Sequence, residues 1–478
     1  MSNIKFGTGG WRAVIGDGFT KANVQLLTAA LARKMKEEGV AQRGFLIGYD
    51  RRFLSQESAH WAAEVMAGAG VPCMVVEREA PTPLIMFAVK YYELSYGMAV
   101  TASHNPALYN GVKVFVKGGR DADELVTASL ETHIAALEGE KIPAVPYEEG
   151  VRTGQIQIVD PMNSYIDSII RSVNMDAIRS RGLKVVLDPM FGVSKTALST
   201  ILITARCDVD VIHERRDALF GGRLPAPNSK TLIGLQNFVL ENGCDIGIAT
   251  DGDADRLGII DDRGEFLHPN KILVLLYYYL LKYKGWHGAA VRNLATTHLL
   301  DAIAARFSER CYEVPVGFKH VSGKMLETGA VIGGESSGGL TVRGHIQGKD
   351  GIYAASLLVE MMATTGRSLS ELYREITDQC GSFEMVERGY RFSQEEKERI
   401  SKTLMEDKLL PDFGAGVEKV SYADGCKVYF KDGGWVVSRF SGTEPLLRVF
   451  CEMDTTQRAG ETAACMERFL GLEGRNIE

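Results

Sequence analysis

The order strand, helix, strand is written three times into this chain, and that repetition restricts the fold more than any other feature. The first copy runs from Gly44-Phe45-Leu46-Ile47-Gly48 through a helical stretch at 55–69 to Val71-Pro72-Cys73-Met74-Val75-Val76. The second runs from Leu183-Lys184-Val185-Val186-Leu187 through 194–204 to 208–212, and the third from Ala289-Ala290-Val291-Arg292-Asn293-Leu294 through 297–307 to 311–315. Short apolar strands alternating with helices of this length predict crossover units in parallel or mixed sheets. The copies lie too far apart for a solenoid and predict duplicated α/β domains instead.

Each copy is followed by one further predicted strand with a polar loop at its carboxyl end, the edge at which open α/β sheets bind ligands. After Met98-Ala99-Val100 comes Thr101-Ala102-Ser103-His104-Asn105-Pro106, which sets a hydroxyl nucleophile beside an imidazole. After Ile246-Gly247-Ile248-Ala249 comes Thr250-Asp251-Gly252-Asp253-Ala254-Asp255-Arg256. In an extended segment alternate residues point the same way, so the three carboxylates are predicted to converge. Two like charges about 4 Å apart repel by roughly 4 kcal/mol at an effective dielectric of about 20, and a divalent cation removes that repulsion. Oxygen ligands select a hard ion, and three carboxylates leave positions for phosphate oxygens, which suits Mg²⁺ better than a closed Ca²⁺ cage. After Ala330-Val331-Ile332 comes Gly333-Gly334-Glu335-Ser336-Ser337-Gly338-Gly339, whose carboxylate and hydroxyls match sugar hydroxyls. A fourth loop, Arg439-Phe440-Ser441-Gly442-Thr443-Glu444-Pro445, combines a guanidinium, two hydroxyls and a glycine backbone, the chemistry of a phosphate clamp. Taken alone, the serine, glutamate and arginine loops are more often plain turns, whereas the aspartate loop is not; their co-occurrence is the signal.

These four motifs in this order, preceded by Lys5-Phe6-Gly7-Thr8-Gly9-Gly10-Trp11-Arg12, resemble the α-D-phosphohexomutase superfamily, whose members move phosphate between the 1 and 6 positions of a hexose. The resemblance spans nearly the whole chain. It implies three similar α/β domains with mixed sheets plus a smaller C-terminal α+β domain around a central cleft, at 1–150, 151–257, 258–377 and 378–478. It implies that Ser103 is phosphorylated, that Asp251, Asp253, Asp255 and an oxygen of phosphorylated Ser103 hold Mg²⁺, and that Lys113 is the general base with His104 aiding orientation or proton transfer. Arg12 and Arg256 would face the reacting phosphate, Glu335 and Ser337 the sugar hydroxyls, and Lys319 the sugar phosphate. Arg439, Ser441, Gly442 and Thr443, with Arg448, would clamp the other phosphate. The implied cycle passes through a bound hexose 1,6-bisphosphate, which also serves as activator.

The stretch 138–146 combines charges with two prolines and predicts a linker. Past Gln379-Cys380-Gly381-Ser382 a charged helix is predicted at 394–406, then a hairpin joining Lys427-Val428-Tyr429-Phe430 to Gly434-Trp435-Val436-Val437. Gly339 stands where the phosphomannomutase-like and phosphoglucosamine-mutase-like branches usually carry histidine. Together with the 6–12 opening, it favours glucose 1- and 6-phosphate as substrates, that is, a phosphoglucomutase, with phosphomannomutase or dual activity as the alternative. Asp251-Gly252-Asp253 also resembles the nucleophile loop of haloacid-dehalogenase phosphatases, which makes a sugar phosphatase the remote alternative.

The bulk numbers exclude other classes. A net charge of -7 over 478 residues argues against a nucleic-acid or anionic-membrane partner. Eight cysteines without a framework spacing fit reduced thiols. The longest apolar run, 272–281, is about half of what a bilayer requires, and no signal-like segment opens the chain. The expected location is cytoplasmic, as a monomer or homodimer.

Overall fold

The three copies fold as three parallel strand pairs crossed over by a helix. In the computed structural model, which describes residues 4–7, 9–441 and 446–477, Phe45–Tyr49 and Cys73–Val76 pair in parallel across the helix Ser55–Gly68. Lys184–Asp188 and Asp208–Val211 do the same across Lys195–Thr204, and Ala290–Asn293 and Cys311–Val314 across Leu299–Arg306. In each copy the further strand joins the first in parallel on its other side: Tyr96–Val100, Ile246–Thr250 and Ile332–Gly334. Their carboxyl ends carry the Ser103, Asp251 and Glu335 loops. All residues of Phe45–Tyr49, Tyr96–Val100 and Ile246–Thr250 are buried, as expected for strands covered on both faces.

Antiparallel strands turn the first two sheets mixed. Tyr109–Val116 pairs with Tyr96–Val100 and then with Trp11–Val14, while Leu257–Ile260 pairs with Ile246–Thr250 and then with Phe266–Leu267. Two boundaries therefore move. The strand Ile156–Val159 pairs in parallel with Cys73–Val76, so the first sheet continues past the expected limit at 150. The second sheet likewise continues past 257, to Leu267. The stretch 138–146 lacks regular structure but is no free linker: Val145 N donates to Glu64 O, and Ile142 and Val145 pack on the first core. The C-terminal sheet is antiparallel throughout, in the order Glu384–Arg391, Leu446–Met453, Trp435–Phe440, Cys426–Phe430, Val417–Ser421, and Thr456–Leu470 packs on it. Its helix Gln394–Ser401 and its hairpin lie where the sequence places them.

The chain divides into two units, Met1–Leu276 with Ser337–Glu371, and Tyr277–Ser336 with Leu372–Glu478. The segment expected at 258–377 has residues in both units. Its helix Gly351–Thr365 is buried along nearly its whole length against Met175–Arg181 and Lys195–Thr204 of the first unit. Asp350 caps that helix, accepting from Ile352 N and Tyr353 N at 2.9 Å each.

Candidate active site

Ser103 follows the end of Tyr96–Val100 in a left-handed backbone conformation, φ 53°, which costs a non-glycine residue about 1–2 kcal/mol. The turn is held from below. The Arg52 guanidinium donates to the carbonyl oxygens of Ser103 (2.6 Å), Asn105 (2.6 Å), Pro106 (2.9 Å) and Tyr109 (3.0 Å), and its side chain is wholly buried. Asp50 answers its charge at 3.4 Å and also accepts from Thr101 Oγ1, which in turn accepts from Ser103 N. Sequence reasoning passed over Arg52, because Arg51 beside it is chemically identical and only the fold turns one inward. Arg51 instead donates to the Glu214 carbonyl.

The acidic loop meets this turn backbone to backbone. A Cβ at Gly252 would lie 2.8 Å from the Ser103 carbonyl oxygen, and one at Gly192 would lie 2.6 Å from the Gly252 carbonyl oxygen. The loop is not the extended segment expected. Ala254 has φ 62° and donates to Asp251 O, so a tight turn replaces the strand alternation. The carboxylates converge nonetheless: one oxygen of each lies within 4.8 Å of the others.

Around that cluster Ser103 Oγ donates to Asp251 Oδ2 at 2.7 Å, and His104 Nδ1 lies 3.4 Å from the same hydroxyl. Lys113 projects from Tyr109–Val116 and donates to Asp253 Oδ2 and Asp255 Oδ2 at 2.6 Å each. Thr82 donates to Asp253 Oδ2, and Lys349 lies 2.9 Å from Asp255 Oδ2. Arg256 N donates to Asp251 Oδ1, and its side chain reaches Asp255 at 4.0 Å. Arg12 donates to Asn105 Oδ1, two residues from Ser103. Among the described residues, Asp253 Oδ1 and Asp255 Oδ1 are buried without a hydrogen-bond partner. Leaving a buried acceptor unpaired costs about 1–3 kcal/mol, and more for a charged one, so two such oxygens in an all-carboxylate cluster fit a hard divalent cation.

The electrostatics follow from crowding and burial. Burial, then Asp253 and Asp255, push the Asp251 carboxyl up to about 8. For Asp255 burial acts in the same sense but is overcome by Lys113, Lys349 and Arg256, which hold it well below the usual range. For Lys113 burial opposes the charge and the two aspartates restore it, so its ammonium is held above its ordinary value. Burial, then Arg256 and Arg12, keep His104 neutral at physiological pH.

The first unit therefore gathers Ser103, His104, Lys113, Arg12, Arg256 and the three aspartates, and adds Arg52 and Lys349, which the sequence reading missed. Ser337 is also in that unit and is exposed. The second unit holds Lys319, Glu335, Arg439, Ser441 and Arg448. There Glu335 is buried, and its Oε1 accepts from Asn293 Nδ2 (3.0 Å) and Gly317 N (2.9 Å). Lys319 lies in the first turn of the helix Phe318–Thr328. Arg439 and Arg448 face each other across antiparallel strands, Arg439 held by Asp424 at 3.3 Å and Arg448 by Glu387 at 3.4 Å. Ser441 N donates to Leu446 O. Gly442 and Thr443 lie outside the described residues.

A hydroxyl hydrogen-bonded to a carboxylate of a triad that could hold a cation fits the phosphohexomutase class, and the whole chain agrees with that class. Models of phosphoglucomutase/phosphomannomutase α/β/α domains I, II and III match residues 3–141, 163–264 and 268–380, and the model of the C-terminal domain matches 394–468. A phosphoglucomutase/phosphomannomutase of Thermococcus kodakarensis is 30% identical over 95% of this chain and 96% of its own length. A phosphoglucosamine mutase of Acetivibrio thermocellus is 30% identical over 94% of each. The crystal structure of a putative phosphomannomutase from Thermus thermophilus superposes with a TM-score of 0.85 at 28% identity, covering 98% of this chain and 100% of the other. The chain belongs to the phosphoglucomutase/phosphomannomutase family of the α-D-phosphohexomutase superfamily, with three α/β domains and a smaller C-terminal domain. That membership sets aside the phosphatase alternative. Among the described residues no helix is long and apolar enough to cross a membrane.

Proposed function

We propose that this enzyme interconverts glucose 1-phosphate and glucose 6-phosphate through phosphorylated Ser103 and a bound glucose 1,6-bisphosphate. The observation that carries the reading is the 2.7 Å bond from Ser103 Oγ to Asp251 Oδ2, which joins a nucleophile to a cation site. Asp251, Asp253 and Asp255 would hold Mg²⁺, which when bound supplies charge stabilisation to the transferring phosphoryl group. In each half-reaction the bond from phosphorus to one oxygen breaks as the bond to another forms, and a hydroxyl proton has to move with it. Lys113, held protonated by two aspartates, enters as the donor to departing Ser103 Oγ and becomes a base only after giving that proton up. This refines the expectation of a base at Lys113. Neutral His104 orients the hydroxyl, and Arg12 and Arg256 bind the reacting phosphate.

In the second unit Glu335 and Lys319 would read the sugar, and Ser337 is a further candidate for a sugar hydroxyl. Arg439, Ser441 and Arg448 would bind the distal phosphate, with Gly442 and Thr443. Arg439 and Arg448, directly opposite each other on neighbouring strands, would offer an anion two guanidinium groups.

Glucose is favoured over mannose and glucosamine by Gly339, although relatives carry phosphoglucosamine mutase and phosphomannomutase names. Mass mapping after incubation with glucose 1,6-bisphosphate tests the chemistry, with an acid-stable phosphate expected on Ser103. An acyl phosphate on Asp251 overturns it. Steady-state rates on glucose, mannose and glucosamine phosphates test the substrate, and a higher kcat/KM on either competitor replaces glucose.

A further inference from the structure

Two consecutive backbone amides in the second unit are each taken by a different carboxylate. Gly317 N donates to Glu335 Oε1 at 2.9 Å, and Val316 N donates to Asp424 Oδ2, also at 2.9 Å. Glu335 stands in the sugar loop, whereas Asp424 belongs to none of the four loops. It lies just before the strand Cys426–Phe430, and both of its oxygens are 3.3 Å from Arg439 Nε. The contact is made through the Nε edge of the guanidinium, not through the terminal fork that a bidentate anion contact uses.

The backbone around Asp424 fixes where its carboxylate can point. Gly425 has φ 86°, and a Cβ there would lie 2.5 Å from the Ser438 carbonyl oxygen and 2.6 Å from Arg439 Cβ. Only glycine lets the chain turn so closely against the strand that carries Arg439. On the other side, Val316 packs with Leu294, Trp435 and Val437, in a core shared by the third sheet and the C-terminal sheet. The amide and the arginine are thus each set by packing, and Asp424 joins them. The Arg439 side chain is 10% exposed and that of Asp424 24%, where a charge-assisted hydrogen bond is stronger than in open water.

We propose that Asp424 is a positioning residue for the phosphate clamp: held by Val316 N, its carboxylate fixes the Arg439 guanidinium at a spacing from Glu335 that the single peptide between residues 316 and 317 sets. A sugar phosphate that meets Arg439 with its phosphate and Glu335 with its hydroxyls then finds both at a fixed separation. Asp424 acts through Arg439 and does not itself touch substrate. The inference rests on the reading of 439–445 as the clamp and of Glu335 as a sugar contact.

A double-mutant cycle of Asp424→Asn, Arg439→Ala and both together tests it. Asparagine keeps an acceptor for Val316 N and removes the charge that faces Arg439. The readouts are the calorimetric Kd for glucose 1-phosphate in a Ser103→Ala background, where nothing turns over, then kcat and KM with Ser103 present, and Tm. Asp424→Asn is expected to raise Kd and KM about 10-fold, the worth of one hydrogen bond to a charged group, with kcat within about 3-fold of wild type. Arg439→Ala should raise them about 100-fold, and the double variant should match it within about 3-fold, because Asp424 then has no arginine to hold. Effects that multiply in the double variant overturn the proposal, as does an Asp424→Asn protein with unchanged Kd, whatever its Tm. If Asp424→Asn alone does not fold, recovery on adding Arg439→Ala supports the pairing and no recovery overturns it. A wild type that prefers mannose or glucosamine phosphate replaces the proposed substrate, and the same cycle read on that sugar still decides Asp424. A protein that binds none of the three sugar phosphates overturns both readings.

Discussion

Two charged clusters in this molecule are built from the same kinds of side chain and behave in opposite ways. In the first unit, Asp251, Asp253 and Asp255 stand against Lys113 and Lys349, beside a strained serine, and two buried carboxylate oxygens have no hydrogen-bond partner among the described residues. In the second unit, buried Lys427 donates to Glu313 Oε2 and to Leu294 O at 2.6 Å each and sits 4.1 Å from the Trp435 ring. Arg292 closes that cluster with Glu313 (2.6 Å) and Asp301 (2.7 Å). The Lys427 and Arg292 heads are spent on partners, and the cluster staples the third sheet to the C-terminal sheet within its unit. The staple has an open acceptor of its own, Glu452 Oε2, so what separates a site from a staple is open acceptors combined with backbone strain, the pairing that marks where a ligand would complete the set.

The largest test of that contrast is Ser103→Ala, expected to lower mutase kcat by about 10⁴-fold or more, with no phosphate incorporated from glucose 1,6-bisphosphate. Its Tm should stay within about 2 °C of wild type, since only a hydroxyl is removed and the Cβ that strains the turn stays. Chelation of divalent ions, or Asp253→Asn, should cost about 10³-fold in kcat, recoverable with Mg²⁺ only in the wild type. Arg52→Lys keeps the charge but not the fork, and a fall of about 100-fold in kcat with KM unchanged is expected. A Lys variant that works as well as wild type would show that charge alone holds the turn.

The staple should answer the other way. Glu313→Gln leaves a buried ammonium short of its counter-ion, and a loss of about 3 kcal/mol in urea unfolding is expected, with kcat of the folded protein preserved. The smallest effect concerns His298, whose ring nitrogen lies 3.1 Å from Lys427 Nζ. Burial, then Arg292, lower its pKa to about 4. The unfolded chain therefore binds its proton first, so stability is full above pH ~6.5 and falls as pH drops toward about 4, by no more than about 3 kcal/mol. His298→Gln should flatten that part of the profile, and an unchanged slope in the variant would assign it to other groups.

The repeats and loops were legible because strands buried on both faces must be short and apolar and because ligand chemistry sits at their carboxyl ends. The crossover helices and parallel pairs fell within a residue or two of expectation. What stayed hidden depends on contacts between distant segments. Nothing local distinguishes Arg52 from Arg51, or shows that Lys349 would cross to Asp255. The acidic triad converged for a different reason than strand alternation, through the left-handed turn at Ala254. Ile156–Val159 reads as a start of the second domain until its pairing with Cys73–Val76 is known.

The helix Gly351–Thr365 has a consequence for the order of events during synthesis. The first unit is interrupted by residues 277–336 and is finished only by Ser337–Glu371. At about 5–20 residues per second, the ribosome takes roughly 5–20 s to travel from Leu276 to Glu371. Throughout that interval the helices Met175–Arg181 and Lys195–Thr204 lack their cover, and Asp255 lacks Lys349. The nascent chain thus has Ser103 and its acidic loop before it has the segment that buries and balances them, and that window is when a chaperone would be most useful to it.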